Sequence, residues 1–388
     1  MKEIYLDNSA STKISDEALA KYIEISHKFY GNPSSLHTMG YLAEKELRAA
    51  RDTLLSSLSA KNSSVVFTAS GSEANNLAII GRTLSKERYK RGAKIITTDG
   101  EHASVSATLS HLAKEGFKIA RIPTRNGVLD ESALEAELDS DVILVTMMMV
   151  NNETGALYDT SLVSRLMKIK APEAFLHVDA TQSFMKIKFT KQSIGADMIS
   201  VSSHKIHGPK GVGALVVDNK VIKSHGLSPI IYGGGQEGGL RSGTENVPGI
   251  AAFAEAIRLA SLSFEESFKK TSELRSYFIE RLKEDALSEI SPTLPEFHAP
   301  HIINITLPKI KSETMLHYLS SLGIFVSSGS ACSSNSGEVS SALLAYGRSA
   351  AEADSSLRIS FSANNTKGDV DTLCEALKLG LSKLARIR

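Results

Sequence analysis

An α/β domain with a mainly parallel sheet, covered by helices on both faces, is the fold that the sequence predicts. Short runs rich in β-branched residues recur between amphipathic segments from about residue 94 to residue 217. Most of these runs are apolar throughout, which is typical of strands that are buried on both faces of a sheet. The runs also end in small or polar residues, as strands do at the carboxyl edge of an open α/β sheet.

The predicted strands of this domain are short and follow one another along the chain. They are residues 65–68, 94–98, 142–150, 175–178, 198–202 and 213–217. Small or polar segments follow the first five strands, at residues 69–72, 99–102, 151–153, 179–182 and 203–205. Because ligands of open α/β sheets bind beyond the carboxyl ends of the strands, we expect these five ends to face one crevice.

The pattern changes near Ile250. Residues 251–288 are charged and contain almost no glycine or proline, which predicts one long connecting helix. Short predicted strands at residues 302–307, 324–327 and 357–361 then alternate with helices, as in a smaller α+β domain. The last helix carries an apolar stripe that would pack onto this domain, formed by Val370, Leu373, Leu377, Leu381 and Leu384.

Composition and charge exclude several classes of protein. The 388 residues include 44 Lys and Arg against 43 Asp and Glu, a net charge of +1, so no nucleic-acid partner is implied. Two cysteines are too few for a disulfide framework and fit a reducing compartment. Glu3 and Asp7 occur where a signal peptide needs apolar residues, and residues 142–150 are about half as long as a membrane-spanning helix. We therefore expect a cytoplasmic protein that binds neither nucleic acid nor a membrane.

Lys205 and Asp179 are the first residues that indicate chemistry. Lys205 follows a predicted buried strand, so its amine would be partly desolvated, with a lowered pKa, and able to form a Schiff base. For this residue alone, a surface lysine whose head reaches solvent is the alternative. Asp179 ends another strand, where a carboxylate can keep a pyridine nitrogen protonated so that pyridoxal phosphate acts as an electron sink. The alternative for Asp179 is a helix N-cap.

Three further elements are candidates for binding. Residues 68–73 lie between a predicted strand and helix and could hold a phosphate, although a helix capping box explains them equally well. The segment lacks the Gly-Lys-Ser/Thr of nucleoside-triphosphate loops. His102 begins a helix and could stack on an aromatic cofactor or move protons, or it could serve only as a cap. Arg358 could present a fork to a substrate carboxylate, or form a surface ion pair.

Cys332 is the most informative residue of the sequence. It lies in residues 327–341, a segment with eight Ser and two Gly among its fifteen residues, which we expect to be exposed. That placement suits a nucleophile that must travel, whereas Cys374 lies on the apolar stripe of the last helix and is expected to be structural. We expect no metal site, because no second cysteine stands at ligand spacing from Cys332.

Together these residues resemble the pyridoxal-phosphate cysteine desulfurases of the NifS/IscS type, from Tyr5-Leu6-Asp7 to the last helix. The motifs that carry the resemblance are Gly31-Asn32-Pro33-Ser34-Ser35, Glu101-His102, Val150-Asn151-Asn152-Glu153-Thr154-Gly155, His177-Val178-Asp179-Ala180-Thr181-Gln182, Ser203-His204-Lys205 with Gly208-Pro209-Lys210-Gly211, Arg241-Ser242-Gly243-Thr244 and Ser327-Ser328-Gly329-Ser330-Ala331-Cys332.

The resemblance implies fold type I of the pyridoxal-phosphate-dependent transferases, as in aspartate aminotransferase. Its large domain holds a mainly parallel seven-stranded sheet, and both chain ends form a smaller α+β domain. On this basis residues 16–255 are expected to be the large, cofactor-binding domain, and residues 1–15 and 256–388 the small domain that carries the cysteine segment. The resemblance also implies a homodimer.

The resemblance implies roles for single residues as well. The catalytic residues would be Lys205, which holds the cofactor covalently, His102, which stacks on it, and Cys332, which attacks the sulfur. Cofactor contacts are expected from Gly71, Ser72, His102, Asn152, Asp179, Gln182, Ser202, His204, Lys205 and, donated by the other subunit, Thr244. Asn152 and Arg358 would orient the substrate.

The implied reaction converts L-cysteine to L-alanine and leaves the sulfur on Cys332 as a persulfide for an acceptor protein. That acceptor would belong to iron–sulfur cluster assembly or to tRNA thiolation, and the sequence does not identify it. Three alternatives are a selenocysteine lyase, an aminotransferase of the same fold, and a catalytically weak docking partner. Cys332 argues against the aminotransferase, which needs no cysteine on a loop, and the occupied catalytic positions argue against the docking partner.

Overall fold

The computed structural model describes residues 3–85, 93–328 and 339–384. In chain order, the strands of these residues are β1 Ile4–Tyr5, β2 Ser63–Thr68, β3 Lys94–Thr98, β4 Lys118–Ile122, β5 Val142–Met148, β6 Phe175–Asp179, β7 Met198–Ser202, β8 Gly213–Asp218, β9 Ser291–Thr293, β10 Ile302–Thr306, β11 Ile324–Phe325, β12 Ser327–Ser328 and β13 Ser356–Ser360. The helices are α1 Asp16–Lys28, α2 Thr38–Ser57, α3 Gly71–Leu84, α4 Ala103–Lys114, α5 Glu131–Glu137, α6 Thr160–Lys170, α7 Lys191–Ile194, α8 Asn219–Lys223, α9 Val247–Leu262, α10 Phe264–Arg281, α11 Ser312–Ser321, α12 Ser341–Tyr346, α13 Ala350–Asp354 and α14 Lys367–Lys383.

A seven-stranded sheet lies at the centre of the molecule. Its strand order is β2-β8-β7-β6-β5-β3-β4. β8 is antiparallel to both of its neighbours, and the other six strands run in one direction. The apolar side chains of these strands are almost completely buried, because helices pack on both faces. The prediction of a mainly parallel seven-stranded sheet is confirmed.

Apolar runs in the sequence do not predict β4, one strand of this sheet. β4 occupies the edge of the sheet beside β3, and its Lys118 and Arg121 side chains are exposed. An edge strand is less covered than a central strand and therefore needs few apolar residues. The sequence Lys-Ile-Ala-Arg-Ile accordingly contains no continuous hydrophobic run. β5 is also shorter than predicted: it ends at Met148 and not at Val150, and the next residues belong to the segment that follows the strand.

The predicted single helix over residues 251–288 is wrong. The chain forms two helices, α9 and α10, which meet at Ser263 with a bend of 71°. The reason is that α9 buries Phe253 against the core of the large sheet, whereas α10 buries Phe278 in a separate core. Within the described ranges no single helix is long and apolar enough to cross a membrane, and the bent pair of α9 and α10 passes that test only jointly.

The second core belongs to a smaller antiparallel sheet with the order β12-β13-β10-β9. β1 and β11 form a short parallel pair beside it, so Ile4 and Leu6 share this core with residues of the last third of the chain. The predicted strand at residues 324–327 is divided between β11 and β12. In α14 the stripe with Val370 and Leu377 is buried as predicted.

Candidate active site

A crevice lies at the carboxyl edge of the seven-stranded sheet, with a cavity volume of about 270 Å³. The segments that follow β2, β3, β5, β6 and β7 all contribute to its wall, which confirms that these strand ends face one crevice. The predicted binding residues that line it are Gly71, Ser72, His102, Asn152, Asp179, Gln182, Ser202, His204, Lys205 and Arg358. Thr244 does not line it, and Cys332 lies outside the described residues.

Lys205 ends the single 3₁₀ turn that follows β7. Its Nζ donates hydrogen bonds to the carbonyl oxygens of Ser9 at 2.6 Å and Ala10 at 2.9 Å. The side chain therefore lies under the N-terminal segment, at the boundary between the crevice and a second cavity of about 650 Å³. The surface-lysine alternative does not describe this position, since the amine contacts protein oxygens at the crevice.

Asp179 is the last residue of β6, and only 5% of its surface is exposed. Its Oδ2 accepts a hydrogen bond from Asn75 Nδ2 at 2.7 Å, and its Oδ1 accepts one from the Thr181 N–H at 2.9 Å. These contacts fix the carboxylate, and no side chain in the described part of the protein forms a salt bridge with it. Asn75 lies four positions after Gly71 on α3, and sequence reasoning missed it because nothing in the sequence indicates that helix face.

His102 both caps a helix and lines the crevice. It is the N-cap of α4, where its Nδ1 accepts a hydrogen bond from the Ser104 N–H at 3.1 Å. Burial lowers the pKa of His102, while the charge of Asp179 opposes that shift. The ring is therefore neutral at neutral pH, with a lone pair on Nδ1 and its proton on Nε2.

The segment between β2 and α3 fits a phosphate group. Ser70 caps α3 by accepting from the Glu73 N–H at 3.1 Å, so the capping interaction is present as well. Ser202 Oγ is buried with no hydrogen-bond partner among the described residues. A Cβ atom at Gly71 would lie 3.2 Å from both Ser202 Cβ and Thr181 Oγ1, so only glycine leaves space there for a ligand oxygen. The orphaned hydroxyl and the space beside it suit a bound anion at a helix N-terminus.

His204 and Gln182 border the same crevice. Burial, together with the charge of Lys205, lowers the pKa of His204 to about 4, so the ring is neutral at pH 7. Gln182 donates from Nε2 to the Ser9 carbonyl at 2.9 Å and accepts at Oε1 from Lys186 at 3.4 Å. Lys186 thus determines which end of the amide faces Ser9.

Arg358, in the centre of β13, is buried and only 4% exposed, so the alternative of a surface ion pair is wrong. Its Nη1 donates to the Asn152 carbonyl at 3.0 Å, and its Nη2 donates to Asp7 Oδ1 at 2.9 Å. Nε has no partner among the residues that the structure describes. The guanidinium therefore stands at the crevice in a fixed orientation, with a donor left for a carboxylate.

Glu101 is a second group that the sequence did not single out by its own chemistry. Its carboxyl group is buried, and it accepts hydrogen bonds from Thr98 Oγ1 at 2.5 Å and from the Met148 N–H at 3.0 Å. Burial raises the pKa of Glu101 to about 8. The group is thus largely protonated at neutral pH, and it links β3 to β5 one residue before His102 in the chain.

The chain shows strong similarity to known proteins over its whole length. The model of the aminotransferase class-V family matches residues 4–373. A NifS/IcsS protein homolog of Lactobacillus delbrueckii subsp. bulgaricus is 38% identical over 381 residues, which cover 96% of both chains. The cysteine desulfurase IscS of Dictyoglomus turgidum is 35% identical over 388 residues, covering all of this chain and 96% of that protein. A solved NifS-like protein superposes with a TM-score of 0.91 at 34% identity, covering 99% of this chain and all of the other.

Proposed function

The chain belongs to the class-V aminotransferase family and is a pyridoxal-phosphate-dependent cysteine desulfurase, and from this premise we propose that Cys332 takes the sulfur of L-cysteine as a persulfide. The observation that carries the proposal is the convergence of Lys205, Asp179 and Arg358 on one crevice, where a Schiff-base lysine, an anionic partner and a carboxylate-binding fork are needed.

The cofactor would be held by residues whose present contacts suit its parts. The N-terminus of α3 at Gly71 and Ser72, with the unpartnered Ser202 hydroxyl, would bind its phosphate. Asp179 would pair with the ring nitrogen, and His102 would stack on the ring. When bound, the cofactor supplies an electron sink for the bond-breaking steps.

The protein's own groups would then bind the substrate and move its protons. The guanidinium of Arg358, already oriented by Asn152 and Asp7, would bind the carboxylate of L-cysteine. Once released from the cofactor, the amine of Lys205 would take the α-proton, since the carbonyls of Ser9 and Ala10 hold it at the crevice.

The transfer of sulfur to Cys332 is a nucleophilic displacement at the sulfur atom. The thiolate of Cys332 attacks the sulfur of the bound cysteine, an S–S bond forms and the C–S bond breaks. The electron pair of the C–S bond stays with the three-carbon fragment, which leaves as L-alanine after protonation. The persulfide on Cys332 then passes its outer sulfur to an acceptor protein, which we expect to serve iron–sulfur cluster assembly or tRNA thiolation.

We expect the active form to be a homodimer. Thr244 is exposed and does not line the crevice of its own subunit, which supports a contact with the cofactor phosphate of a neighbour. Tyr30, Leu36, Tyr41 and Tyr232 are large apolar side chains that are exposed in the single chain. Exposed apolar surface of this kind is typical of an interface between protein subunits.

The domain boundaries and the compartment are also proposals. Residues 16–255 would form the large domain, and residues 1–15 and 256–388 the small one, since Ile4 and Leu6 pack in the core that contains Leu274 and Leu377. Cys374 is a free, buried thiol, which supports a reducing compartment such as the cytoplasm.

The test compares Cys332→Ala with Cys374→Ala. Burial raises the pKa of Cys374 to about 12, so its thiol does not ionise at neutral pH and its variant is the matched control. We expect Cys332→Ala to keep its cofactor and the change in cofactor absorption on adding cysteine, but to release almost no alanine and to carry no labelled sulfur. Wild-type alanine turnover by Cys332→Ala would contradict the proposal.

A further inference from the structure

We propose that the second cavity, beside the crevice, binds a small monocarboxylate with an apolar body, whose carboxylate contacts Lys186 and His301. The proposed desulfurase reaction assigns no ligand to this cavity. Its walls come from the chain that precedes α1, from the bend between α9 and α10, and from the segment that follows β13. Among the described residues, Lys205 alone lines both the second cavity and the crevice, so a ligand there would lie beside the active site without occupying it.

The size of the second cavity suits a small organic ligand. Its volume of about 650 Å³ exceeds the volume of about 270 Å³ of the crevice. Sites for small molecules usually measure about 300 to 1,000 Å³, and they combine apolar walls with a few convergent polar groups. The second cavity has both of these features.

His301 is the first of these polar groups. Only 3% of its surface is exposed, and neither ring nitrogen has a hydrogen-bond partner among the described residues. Burial lowers the pKa of His301 well below its usual value, and the Gln182 carbonyl opposes this shift without reaching hydrogen-bond geometry. The ring is therefore neutral and carries one N–H, for which a carboxylate oxygen is an acceptor. Buried polar groups of native proteins rarely lack a partner, so the ring indicates a ligand.

Lys186 is the second polar group of the cavity. Its Nζ donates to Gln182 Oε1 over a long 3.4 Å, and no carboxylate of the described residues lies within ion-pair distance of it. Burial, together with the charges of Lys205 and Arg358, lowers the pKa of Lys186 to about 7. A bound carboxylate would supply the opposite charge and favour the ammonium form.

His207 completes the basic end of the cavity, which we define as Lys186, His207 and His301. The charge of Lys186 lowers the pKa of both histidines, so the three side chains are close together. His207 has a left-handed backbone conformation, with φ at 64°. Its N–H donates to Thr12 Oγ1 at 2.7 Å, and its Nδ1 donates to the Lys13 carbonyl at 2.9 Å. Such strained residues are concentrated at functional sites, and these bonds hold the basic end in place before a ligand binds.

The remaining lining determines the rest of the ligand. The apolar wall consists of Ile14, Leu259, Leu262, Phe264, Phe268 and Phe361. The carboxylates that line the cavity, Asp16, Glu17 and Glu266, are exposed, as is Lys13. A ligand with one anionic head at the basic end and an uncharged body avoids repulsion from these carboxylates. A phosphate monoester carries nearly two charges and would need more cations than the basic end provides.

The experiment is isothermal titration calorimetry of the holoenzyme, in the absence of cysteine, with butyrate, hexanoate and octanoate as probes. Hexan-1-ol has the chain of hexanoate without its charge. Lys186→Met removes the ammonium group. Lys188→Met is the matched control, because Lys188 lies two residues further on, has a side chain that is 83% exposed, and pairs with Glu265 at 3.2 Å.

We expect binding to tighten about fourfold with each added methylene group, since the apolar wall covers the chain. Lys186→Met should bind octanoate at least about 10-fold more weakly, and hexan-1-ol should bind wild type at least about 10-fold more weakly than hexanoate does. Lys188→Met should stay within about twofold of wild type. Arg358→Lys should also bind octanoate as wild type does, because Arg358 lines the crevice and not the second cavity.

A second variant keeps the test decisive if Lys186→Met does not fold. Phe268 lines the cavity and is 39% exposed, so Phe268→Ala removes part of the apolar wall at little cost to the fold. It should weaken the binding of octanoate several-fold and leave that of butyrate within about twofold of wild type.

Four results would overturn the inference. They are equal affinity of Lys186→Met and Lys188→Met for octanoate, equal affinity of hexan-1-ol and hexanoate, loss of octanoate binding in Arg358→Lys, and no saturable binding of octanoate up to about 10 mM. Loss of binding in Arg358→Lys would place the carboxylate in the crevice. Because cysteine is absent from the titrations, wild-type turnover by Cys332→Ala would contradict the proposed function and leave this inference unchanged.

Discussion

The guanidinium of Arg358 donates from Nη2 to Oδ1 of Asp7 over 2.9 Å, although the two residues are 351 positions apart. Asp7 follows β1 and bridges to Ser360, so the N-terminal segment is joined to the same strand that carries Arg358. Burial raises the pKa of Asp7 and the charge of Arg358 lowers it, so the arginine favours the ionised form of its partner. The pair fixes a buried guanidinium in one orientation before any substrate arrives.

The first prediction concerns Arg358→Lys. A lysine cannot contact Asn152, Asp7 and a substrate carboxylate with one planar fork, so KM for cysteine should rise at least about 10-fold. The effect on kcat should be smaller, because the carboxylate contact persists through the reaction. Steady-state kinetics of alanine formation measures both constants.

Arg348→Lys is the control, since Arg348 is a partly buried arginine that bonds Thr293 and the Pro292 carbonyl of β9, a strand of the same small sheet as β13. Its KM should match that of the wild type. An unchanged KM in Arg358→Lys would show that another group binds the carboxylate.

The second prediction is that Lys205→Ala loses the covalent cofactor link. Borohydride reduction of the wild type should tag the peptide that contains Lys205, and reduction of the variant should tag none. Lys186→Met is the control variant, because Lys186 is a second lysine near the crevice that could form the covalent link. Lys186 lines the neighbouring cavity together with Lys205, and burial, with the charge of Lys205, lowers the pKa of Lys186 to about 7. A tag on Lys186 in the wild type would transfer the role to that residue.

The sheet illustrates what a sequence can predict. β3 and β7 have the predicted bounds because each is a short run that contains β-branched residues and is followed by a polar segment. β4 was missed because an edge strand needs no such run. The bend between α9 and α10 was missed because it depends on which of two cores each helix faces, and composition does not encode that choice.

The residues of the crevice likewise include some that the sequence predicts and some that it does not. Lys205, Asp179 and His102 were predictable because parallel strands bring their carboxyl ends to one edge. Asn75, which lies 104 positions from the Asp179 that it contacts, and Asp7 were not, because their contacts depend on tertiary packing. Local patterns therefore identify groups that follow strands, and they miss the groups that orient them.

The third prediction concerns the homodimer. Light scattering of the purified enzyme should give about twice the chain mass of 41.7 kDa. Thr244→Ala should bind its cofactor about 10-fold or more less tightly, because a hydrogen bond to a charged group contributes about 1.5 to 3 kcal/mol. Thr372→Ala, which removes an exposed hydroxyl on α14, should have no effect. A monomer with full cofactor and activity would contradict both parts.

The fourth prediction concerns Glu101, whose pKa burial raises from 4.5 to about 8. Between these two values the folded protein keeps a proton on Glu101 that the unfolded chain has released. Unfolding therefore releases a proton, and a rising pH favours it. The contribution of Glu101 to the free energy of unfolding should fall by up to about 1.4 kcal/mol for each pH unit in this window.

Glu101→Gln isolates this contribution. The amide does not titrate, and its oxygen can still accept from the Met148 N–H that Glu101 bonds at 3.0 Å. Urea unfolding of both holoenzymes from about pH 5.5 to about pH 7.5 should show the stability of the wild type declining relative to the variant as the pH rises. The buried histidines His177 and His204, whose pKa values burial lowers to about 4, are present in both proteins and cancel in the difference. A difference that stays constant across this range would mean that Glu101 is already ionised in the folded enzyme, and that Thr98 and Met148 stabilise its carboxylate.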